Sequence, residues 1–171
     1  FVSVLRDTTE QIRLERSELE MRLGSSVQQK LFPRSHPALP GYDIAGAVAP
    51  ASATCGDYYD FIALPDGRLA LAIADVSGHG VGSALIMTAM RAYLRSLTRV
   101  FASPDRLADE LNRLLFADLE EDRFVTMILG VLDGTAGTLD WINLGHPAGY
   151  VLDRSGAVKA ELRSTSRPLG L

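Results

Sequence analysis

Two aspartates stand beside glycines at points where apolar segments begin or end. Asp75 follows the apolar residues 69–74 and precedes the glycine-rich turn SGHG, and Asp57 follows Gly56 at the start of YYDFIAL. A carboxylate at the end of a strand suits a hard cation, because Mg²⁺ and Mn²⁺ prefer oxygen ligands. The residue types and their spacing therefore predict a metal site.

The same glycines also resemble a dinucleotide-binding loop. Gly78, Gly80 and Gly82 lie between a predicted strand and a predicted helix. However, the third glycine comes one residue early, and no acidic residue closes a following strand about twenty residues on. Asp75 would also direct a negative charge at the pyrophosphate, where the loop should offer amides. We therefore reject the nucleotide-binding interpretation.

A second carboxylate can come from the strand before Asp75. The turn at residues 65–67 folds that strand back antiparallel, so the strand ends that carry Asp57 and Asp75 meet. Alternation places Asp57 on one face and Asp60 on the other. We favour Asp57 as the ligand because it adjoins Gly56, where another backbone can approach closely.

The surrounding pattern predicts the elements that position these residues. Strands are expected at residues 42–51, 58–65, 68–76, 124–133, 138–145 and 149–153. An apolar stripe from Met87 to Phe101 predicts one helix, and Ser103 and Pro104 predict the start of another. Two helices between groups of strands predict an α+β fold with helices packed on antiparallel sheet.

The first residues follow a different pattern. In residues 1–32 the apolar positions Val2, Leu5, Ile12, Leu19 and Leu23 form one stripe, which predicts an amphipathic helix. Such a helix either lies on its own domain or forms a parallel coiled-coil dimer that relays a signal from an upstream sensor domain. The lack of aromatic anchors favours the dimer. Residues 33–41 contain three prolines and form a linker to a domain at 42–171.

Composition narrows the functional classes. The chain has 171 residues, a formal net charge of −4 and no cluster of Lys and Arg, which argues against a nucleic-acid surface. No apolar run reaches the roughly 18 residues of a membrane span, and the first residues do not resemble a signal peptide. The single cysteine, Cys55, fits a reducing compartment. We therefore expect a cytoplasmic protein.

Several blocks carry a family resemblance. CGDYYDFIAL, LALAIADVSGHGVGSALIM, FVTMILGVLD and INLGHPAGYVL occur in this order, between QQKLFP and RPLGL. Over residues 27–171 they resemble the RsbU/SpoIIE-type branch of the metal-dependent PPM serine/threonine phosphatases. The resemblance implies an αββα sandwich of two mainly antiparallel sheets with outer helices. It also implies a two-metal site, for Mn²⁺ or Mg²⁺, that hydrolyses phosphoserine or phosphothreonine on a protein.

The resemblance also implies roles for single residues. Asp75 matches the carboxylate that bridges the two metals, Val76 matches a main-chain carbonyl ligand, and Asp57 matches the acidic residue that completes the cluster. The turn that would face the substrate contains Gly78, His79 and Gly80. His79 is either a general acid or a residue that orders the start of the helix; we favour the second role. A Ser77–His79–Asp75 triad is excluded because residues so close in one turn cannot align.

Other matched residues have structural roles near the site. Gly56, Asn143 and His146 are expected to shape it, with His146 as a hydrogen-bonding residue. Cys55 replaces a usual glycine, and we interpret it as a small buried side chain rather than a thiolate ligand. Leu144 replaces a usual small residue, which changes packing only.

The family pattern continues beyond PLGL with further acidic motifs that complete one metal site. We therefore expect the domain at 42–171 to lack its C-terminal part and the metal site to be incomplete. The predicted function is a phosphatase acting on a phosphorylated regulatory protein of the anti-sigma-factor-antagonist type, regulated through the N-terminal helix of a homodimer. The alternative is a non-catalytic regulatory or dimerisation module that retains the fold.

Overall fold

A computed structural model describes residue 19 and residues 23–49, 55–120 and 122–171. The strands and helices are β1 (Tyr58–Ala63), β2 (Leu69–Val76), α1 (Val81–Leu97), α2 (Pro104–Asp118), β3 (Val125–Asp133), β4 (Thr138–Leu144), β5 (Gly149–Leu152) and β6 (Val158–Leu162). One antiparallel sheet has the order β1-β2-β3-β4, and a second contains β5 and β6. The predicted α+β fold of helices and antiparallel sheets is confirmed.

Both helices pack on one face of the four-stranded sheet. The alternation of β1 places Tyr58, Asp60 and Ile62 on this buried face, as the period of two requires. α2 begins at Pro104 directly after Ser103, as predicted. The largest side chains that are fully buried in this layer are Tyr58, Met87, Met90, Leu94, Leu107, Leu111, Leu115, Met127 and Leu129. The helix–sheet core therefore fixes the strand ends that carry the predicted site.

α1 ends earlier than its apolar stripe predicted. The helix stops at Leu97, with Thr98 as its C-cap, rather than near Phe101. The N–H of Phe101 still donates to the carbonyl of Leu97 at 2.8 Å, so a turn carries the chain onward. Phe101 packs against the core from this turn, which explains why it continues the apolar pattern without being helical.

The opposite face of the sheet is covered in part by residues 43–49, where the predicted strand at 42–51 is wrong. These residues form no strand. A Cβ built on Gly46 would lie 2.5 Å from the ring of Tyr59, so the segment lies directly on this aromatic side chain. The small residues of this segment allow it to lie close to the sheet, and they do not pair with a neighbouring strand. Together with β1–β4 and Leu162 the segment lines a cavity of about 400 Å³.

The N-terminal segment is fastened to the domain. Residues 23–29 are helical, while residues 1–18 and 20–22 of the predicted helix lie outside the described part of the chain. The side chain of Gln28 bonds the backbone of Cys55, and the ring of Phe32 stacks on Tyr59 at 5.5 Å between centroids. Within the described residues, no helix has the length and apolarity that crossing a membrane requires.

Candidate metal centre

Asp57 and Asp75 face each other at the ends of β1 and β2. Tyr58 pairs with Ala74, and the N–H of Val76 donates to the carbonyl of Gly56 at 3.3 Å. The two aspartates lie between these pairs and so form a non-hydrogen-bonded pair, the kind whose side chains approach most closely. Both side chains project from the face opposite the helices, and both residues are exposed. The strand register therefore brings together the two carboxylates that the sequence selected.

The negative charges of Asp57 and Asp75 repel each other. Asp75 is exposed as a whole residue, but partial desolvation of its carboxyl raises the pKa above its usual range, and the negative charge of Asp57 raises the pKa further. The imidazole of His146 opposes this shift. Like charges on neighbouring carboxylates disfavour the ionised form unless a cation compensates them. The arrangement is therefore suited to binding a cation.

Gly56 and Val76 adjoin the carboxylates at close range. A Cβ built on Gly56 would lie 2.6 Å from the carbonyl oxygen of Val76, a separation that real Cβ atoms essentially never show. Val76 is fully buried, and its side chain packs in the core. Glycine at position 56 is thus required by the approach of the Val76 carbonyl, the group that was predicted to bind metal.

The turn after Val76 leads into α1. Gly78 and Gly80 have φ angles of 85° and 83°, which L side chains rarely adopt, and Gly80 is the N-cap of α1. His79 is exposed between them.

Sequence reasoning missed Arg123, whose Nη1 donates to the carbonyl of Ser77 at 2.8 Å. The only available signal was a cation in the acidic run EEDRF directly before β3.

His146 lies beside the pair within a hydrogen-bonded corner. The backbone N–H of His146 donates to Oδ1 of Asn143 at 2.8 Å, and Nδ2 of Asn143 donates to the His146 carbonyl at 3.1 Å. Nδ1 of His146 lies 2.8 Å from Oγ1 of Thr126, which is paired with Asp75 across β2 and β3. Burial lowers the pKa of His146, although Asp75 and Asp57 oppose the shift. A cavity of about 250 Å³ is lined by both His146 and Asp57.

Asp60 belongs to the helix side of the sheet and not to the site. Its carboxylate is fully buried and accepts two bonds of 2.6 Å from the guanidinium of Arg95 on α1. The hydroxyl of Tyr58 donates to the same carboxylate at 2.6 Å. The Asp60 carboxylate is therefore engaged by Arg95 and Tyr58 on the helix side of the sheet. This agrees with the choice of Asp57 as the candidate metal ligand.

Cys55 is a buried residue at the entrance to β1. Burial and the charges of Asp57 and Asp75 raise the pKa of its thiol, which disfavours the thiolate that metal binding needs. Its Sγ lies 3.8 Å from the Asp57 carbonyl oxygen. The environment supports the interpretation of Cys55 as a packing residue.

The donor set fits a hard cation but is small. Asp57, Asp75 and the Val76 carbonyl offer oxygen ligands, which suit Mn²⁺ or Mg²⁺. In the described ranges 23–49, 55–120 and 122–171, no three His, Cys, Asp or Glu side chains are grouped so as to hold one metal. The described residues thus offer two carboxylates and a main-chain carbonyl, but no cluster of three metal-binding side chains.

A family model described as stage II sporulation protein E (SpoIIE) matches residues 65–171. The chain belongs to the SpoIIE family. The matched region begins in the β1–β2 turn and contains Asp75, Val76, the following turn and His146. Asp57 and the segment that holds Gln28 lie before it.

Curated relatives extend the similarity to the N-terminal region. The chain is 30% identical to protein IcfG of Synechocystis sp. over 91% of its own length and 28% of IcfG. It is 26% identical to the phosphoserine phosphatase RsbU of Bacillus subtilis, over 89% of this chain and 45% of RsbU. The phosphoserine phosphatase RsbP of the same organism is 33% identical, over 71% and 31% respectively. The chain thus spans less than half the length of these relatives.

Solved structures support the fold. The RsbU and RsbW domains of Rv1364c from Mycobacterium tuberculosis superpose with a TM-score of 0.61 and 30% identity, over 72% of this chain and 35% of that one. The SiaA-PP2C domain of Pseudomonas aeruginosa superposes with a TM-score of 0.70 at 18% identity, over 95% of this chain and 65% of that one. The second likeness shows that the fold is PP2C-like.

Proposed function

We propose that the protein is a metal-dependent phosphatase that hydrolyses phosphoserine or phosphothreonine on another protein. The observation that carries the proposal is the opposed pair of Asp57 and Asp75 beside the Val76 carbonyl, on an exposed sheet end. The names of RsbU and RsbP, both phosphoserine phosphatases, support the same reaction.

The chain's own residues have distinct tasks in this reaction. Asp57, Asp75 and the Val76 carbonyl would hold Mn²⁺ or Mg²⁺. When bound, such ions would lower the pKa of a water molecule toward neutrality and would neutralise charge on the phosphoryl oxygens. Asn143 holds the backbone of His146, Thr126 contacts its imidazole, and His146 lines the same small cavity as Asp57. Gly78 and His79 are exposed and Gly80 is half-buried, so the turn leaves room for a protein substrate.

We further propose a phosphorylated regulator of the anti-sigma-factor-antagonist type as the substrate. This choice rests on the family resemblance of the motifs and on the phosphoserine named for RsbU and RsbP. Cytoplasmic localisation is part of the same proposal.

Regulation is proposed to enter through the N-terminal helix of a homodimer. Leu19, Leu23 and Val27 recur every four residues, and each is 59% exposed, so they offer a stripe to a second copy. Gln28, one residue further on, bonds the backbone of Cys55, two residues from Asp57. An upstream sensor domain can therefore act on the site through this helix.

One observation favours a second candidate, a non-catalytic regulatory module. The described residues supply two carboxylates to the site but no group of three metal-binding side chains. A protein that retained only this set would bind metal weakly, because hard-cation sites take most of their ligands from oxygens that must be supplied together.

The deciding experiment measures Mn²⁺-dependent phosphate release from a phosphoserine protein by the protein at its natural full length. Asp75→Asn should lower kcat/KM by more than about a hundredfold, because even groups that only orient a metal ligand contribute about 10–100-fold. Asp66→Asn is the matched control, since Asp66 pairs with Arg68 in the exposed turn at the far end of β1. Absence of turnover with Mn²⁺ or Mg²⁺ would favour the regulatory module.

A further inference from the structure

We propose that Arg123 is a positioning residue for the metal centre. Its guanidinium fixes the turn formed by residues 77–82, and through this turn it fixes the carbonyl of Val76. The inference rests on the proposed function, since it assigns a role within the same site. Arg123 lies between α2 and β3, 46 residues from the turn that it contacts.

The guanidinium lies against the turn over several atoms. Its Nη1 donates to the Ser77 carbonyl at 2.8 Å. A Cβ built on Gly78 would overlap Nη1 and lie 3.3 Å from Cζ, so the planar group rests on the bare Cα of this glycine. A Cβ on Gly82 would lie 3.7 Å from Nη2, so the group also reaches the first turn of α1. Arg123 therefore spans the turn from its start to the helix.

The neighbouring residue holds the peptide group that carries the Val76 carbonyl. The N–H of Ser77 belongs to that peptide group and donates to the carbonyl of Phe124 at 2.9 Å. Oγ of Ser77 accepts from the N–H of Phe124 at 3.0 Å. Arg123 then binds the carbonyl of the next peptide group. These bonds restrain rotation of the peptide group that carries the Val76 oxygen.

Arg123 is itself held on both sides. Its N–H donates to the Glu120 carbonyl at 3.0 Å. Two residues later, the backbone of Val125 exchanges hydrogen bonds of 2.9 and 2.8 Å with Leu169. A cation on such a fixed support can set the position of a turn, whereas a flexible surface arginine would follow it.

Gly78 and Gly80 provide a test in which each alanine substitution is compared between two backgrounds. Both residues have positive φ, so alanine strains the backbone at either position, and the ψ of −158° places Gly80 in a conformation that is essentially restricted to glycine. A Cβ at Gly80 meets nothing within 4 Å, whereas a Cβ at Gly78 meets the guanidinium. We expect Arg123→Ala to reduce the loss of thermal midpoint that Gly78→Ala causes, because the overlap with the guanidinium is then gone. The loss that Gly80→Ala causes should be the same with and without Arg123, because only backbone strain acts there.

The role toward the metal is tested by Mn²⁺ titration calorimetry on the full-length protein and on Arg123→Ala and Arg123→Lys. We expect Arg123→Ala to weaken Mn²⁺ binding by about tenfold or more, in the range of groups that orient metal ligands. Arg123→Lys should restore part of this loss, since lysine can still donate to the Ser77 carbonyl. kcat should fall while KM for the phosphoprotein stays unchanged.

The outcomes separate this inference from the proposed function. If wild-type protein turns over substrate with Mn²⁺ and Arg123→Ala binds Mn²⁺ as tightly as wild type, the positioning role is wrong. A rise in KM alone would also overturn it, because that result would assign Arg123 to substrate binding. If wild-type protein shows no metal-dependent turnover, the proposed function fails instead, while the alanine comparison still reports whether Arg123 fixes the turn.

Discussion

At the scale of single residues, the two carboxylates of the candidate site lower the stability of the fold when no metal is bound. Asp57 and Asp75 stand directly opposite on neighbouring strands, and like charges in such a pair are destabilising. The pKa of Asp75 is raised first by its burial and then by Asp57. Functional sites commonly retain such unfavourable groups because ligand binding compensates them. The stability of this pair should therefore depend on pH and on metal.

We predict that Asp75→Asn stabilises the metal-free protein at pH 7. A carboxyl whose pKa is raised on folding binds more protons in the folded state, so its ionisation destabilises the fold as pH rises through the pKa of the folded protein. The thermal midpoint of Asp75→Asn should thus exceed that of wild type at pH 7, and the difference should shrink as pH falls toward 4. Added Mn²⁺ should reverse the order. A lower midpoint for Asp75→Asn without metal would contradict this account.

Sequence reasoning identified some of these residues and missed others for physical reasons. The period of two along a strand placed Asp57 and Asp60 on opposite faces, and the neighbouring Gly56 favoured Asp57; both signals depend only on nearby residues. Arg123 reaches Ser77 across 46 residues of chain, and no local pattern encodes that contact. The close approach of Gly56 to the Val76 carbonyl likewise depends on the register of two strands.

At the scale of elements, β1 is an edge strand whose outward hydrogen-bonding groups are partly blocked. The N–H of Phe61 donates to Oδ1 of Asp60, the preceding residue, at 2.8 Å. Arg95 of α1 binds both oxygens of the same carboxylate. The ion pair thus joins α1 to the strand that leads from Asp57, and it occupies a donor that another strand would use.

We predict that Arg95→Ala lowers the free energy of unfolding by about 1–3 kcal/mol, because it leaves the buried Asp60 carboxylate without its cation, while the 38% exposure of the Arg95 side chain lets water replace part of that contact. Urea denaturation measures this loss. Arg113→Ala is the control: Arg113 pairs with Glu110 on the surface of α2, and its loss should cost no more than about 0.5 kcal/mol. The double variant Asp60→Asn with Arg95→Ala should recover part of the loss. If Arg95→Ala and Arg113→Ala lower the free energy of unfolding equally, the pair of Arg95 and Asp60 contributes no more to stability than a surface ion pair.

Element prediction succeeded where pattern and packing agree. The apolar stripes of α1 and α2 and the alternation of β1 to β4 face one shared core, so local sequence determined their type. Residues 43–49 alternate in a similar way, yet their small side chains pack on Tyr59 instead of pairing. β6 was missed because its sequence VKAEL is mostly exposed and carries little apolar signal. Only the Asp153–Gly156 turn before it marked a hairpin.

At the scale of the whole molecule, both flanking segments are attached close to the site. The helical residues before the domain reach Cys55 through Gln28, and Arg91 of α1 donates to the Leu31 carbonyl at 2.8 Å. On the other side, Leu169 pairs with Val125, and the N–H of Gly170 donates to Oδ1 of Asn112 on α2 at 2.8 Å. The strand ends with Asp57 and Asp75 are therefore held between two segments that are distant in sequence.

The contact of Gln28 allows the coupling between the N-terminal segment and the site to be measured. Nε2 of Gln28 donates to the Cys55 carbonyl at 2.6 Å, and Oε1 accepts from the Cys55 N–H at 3.1 Å, in a buried position. We predict that Gln28→Ala lowers the free energy of unfolding by about 1–3 kcal/mol, because two buried backbone groups lose their partners. The same variant should weaken Mn²⁺ binding, since Asp57 follows this anchored peptide by two residues.

Two further variants make the Gln28 test specific. Gln28→Glu keeps the shape and the acceptor but sets a carboxylate oxygen against the Cys55 carbonyl, so it should destabilise the protein at pH 7 and do so less at pH 4, where glutamic acid can donate. Gln29→Ala changes the exposed neighbour on the same helix and should leave both readouts unchanged. If Gln28→Ala lowers stability but not Mn²⁺ affinity, the segment only fastens the domain, and regulation must reach the carboxylates by another route.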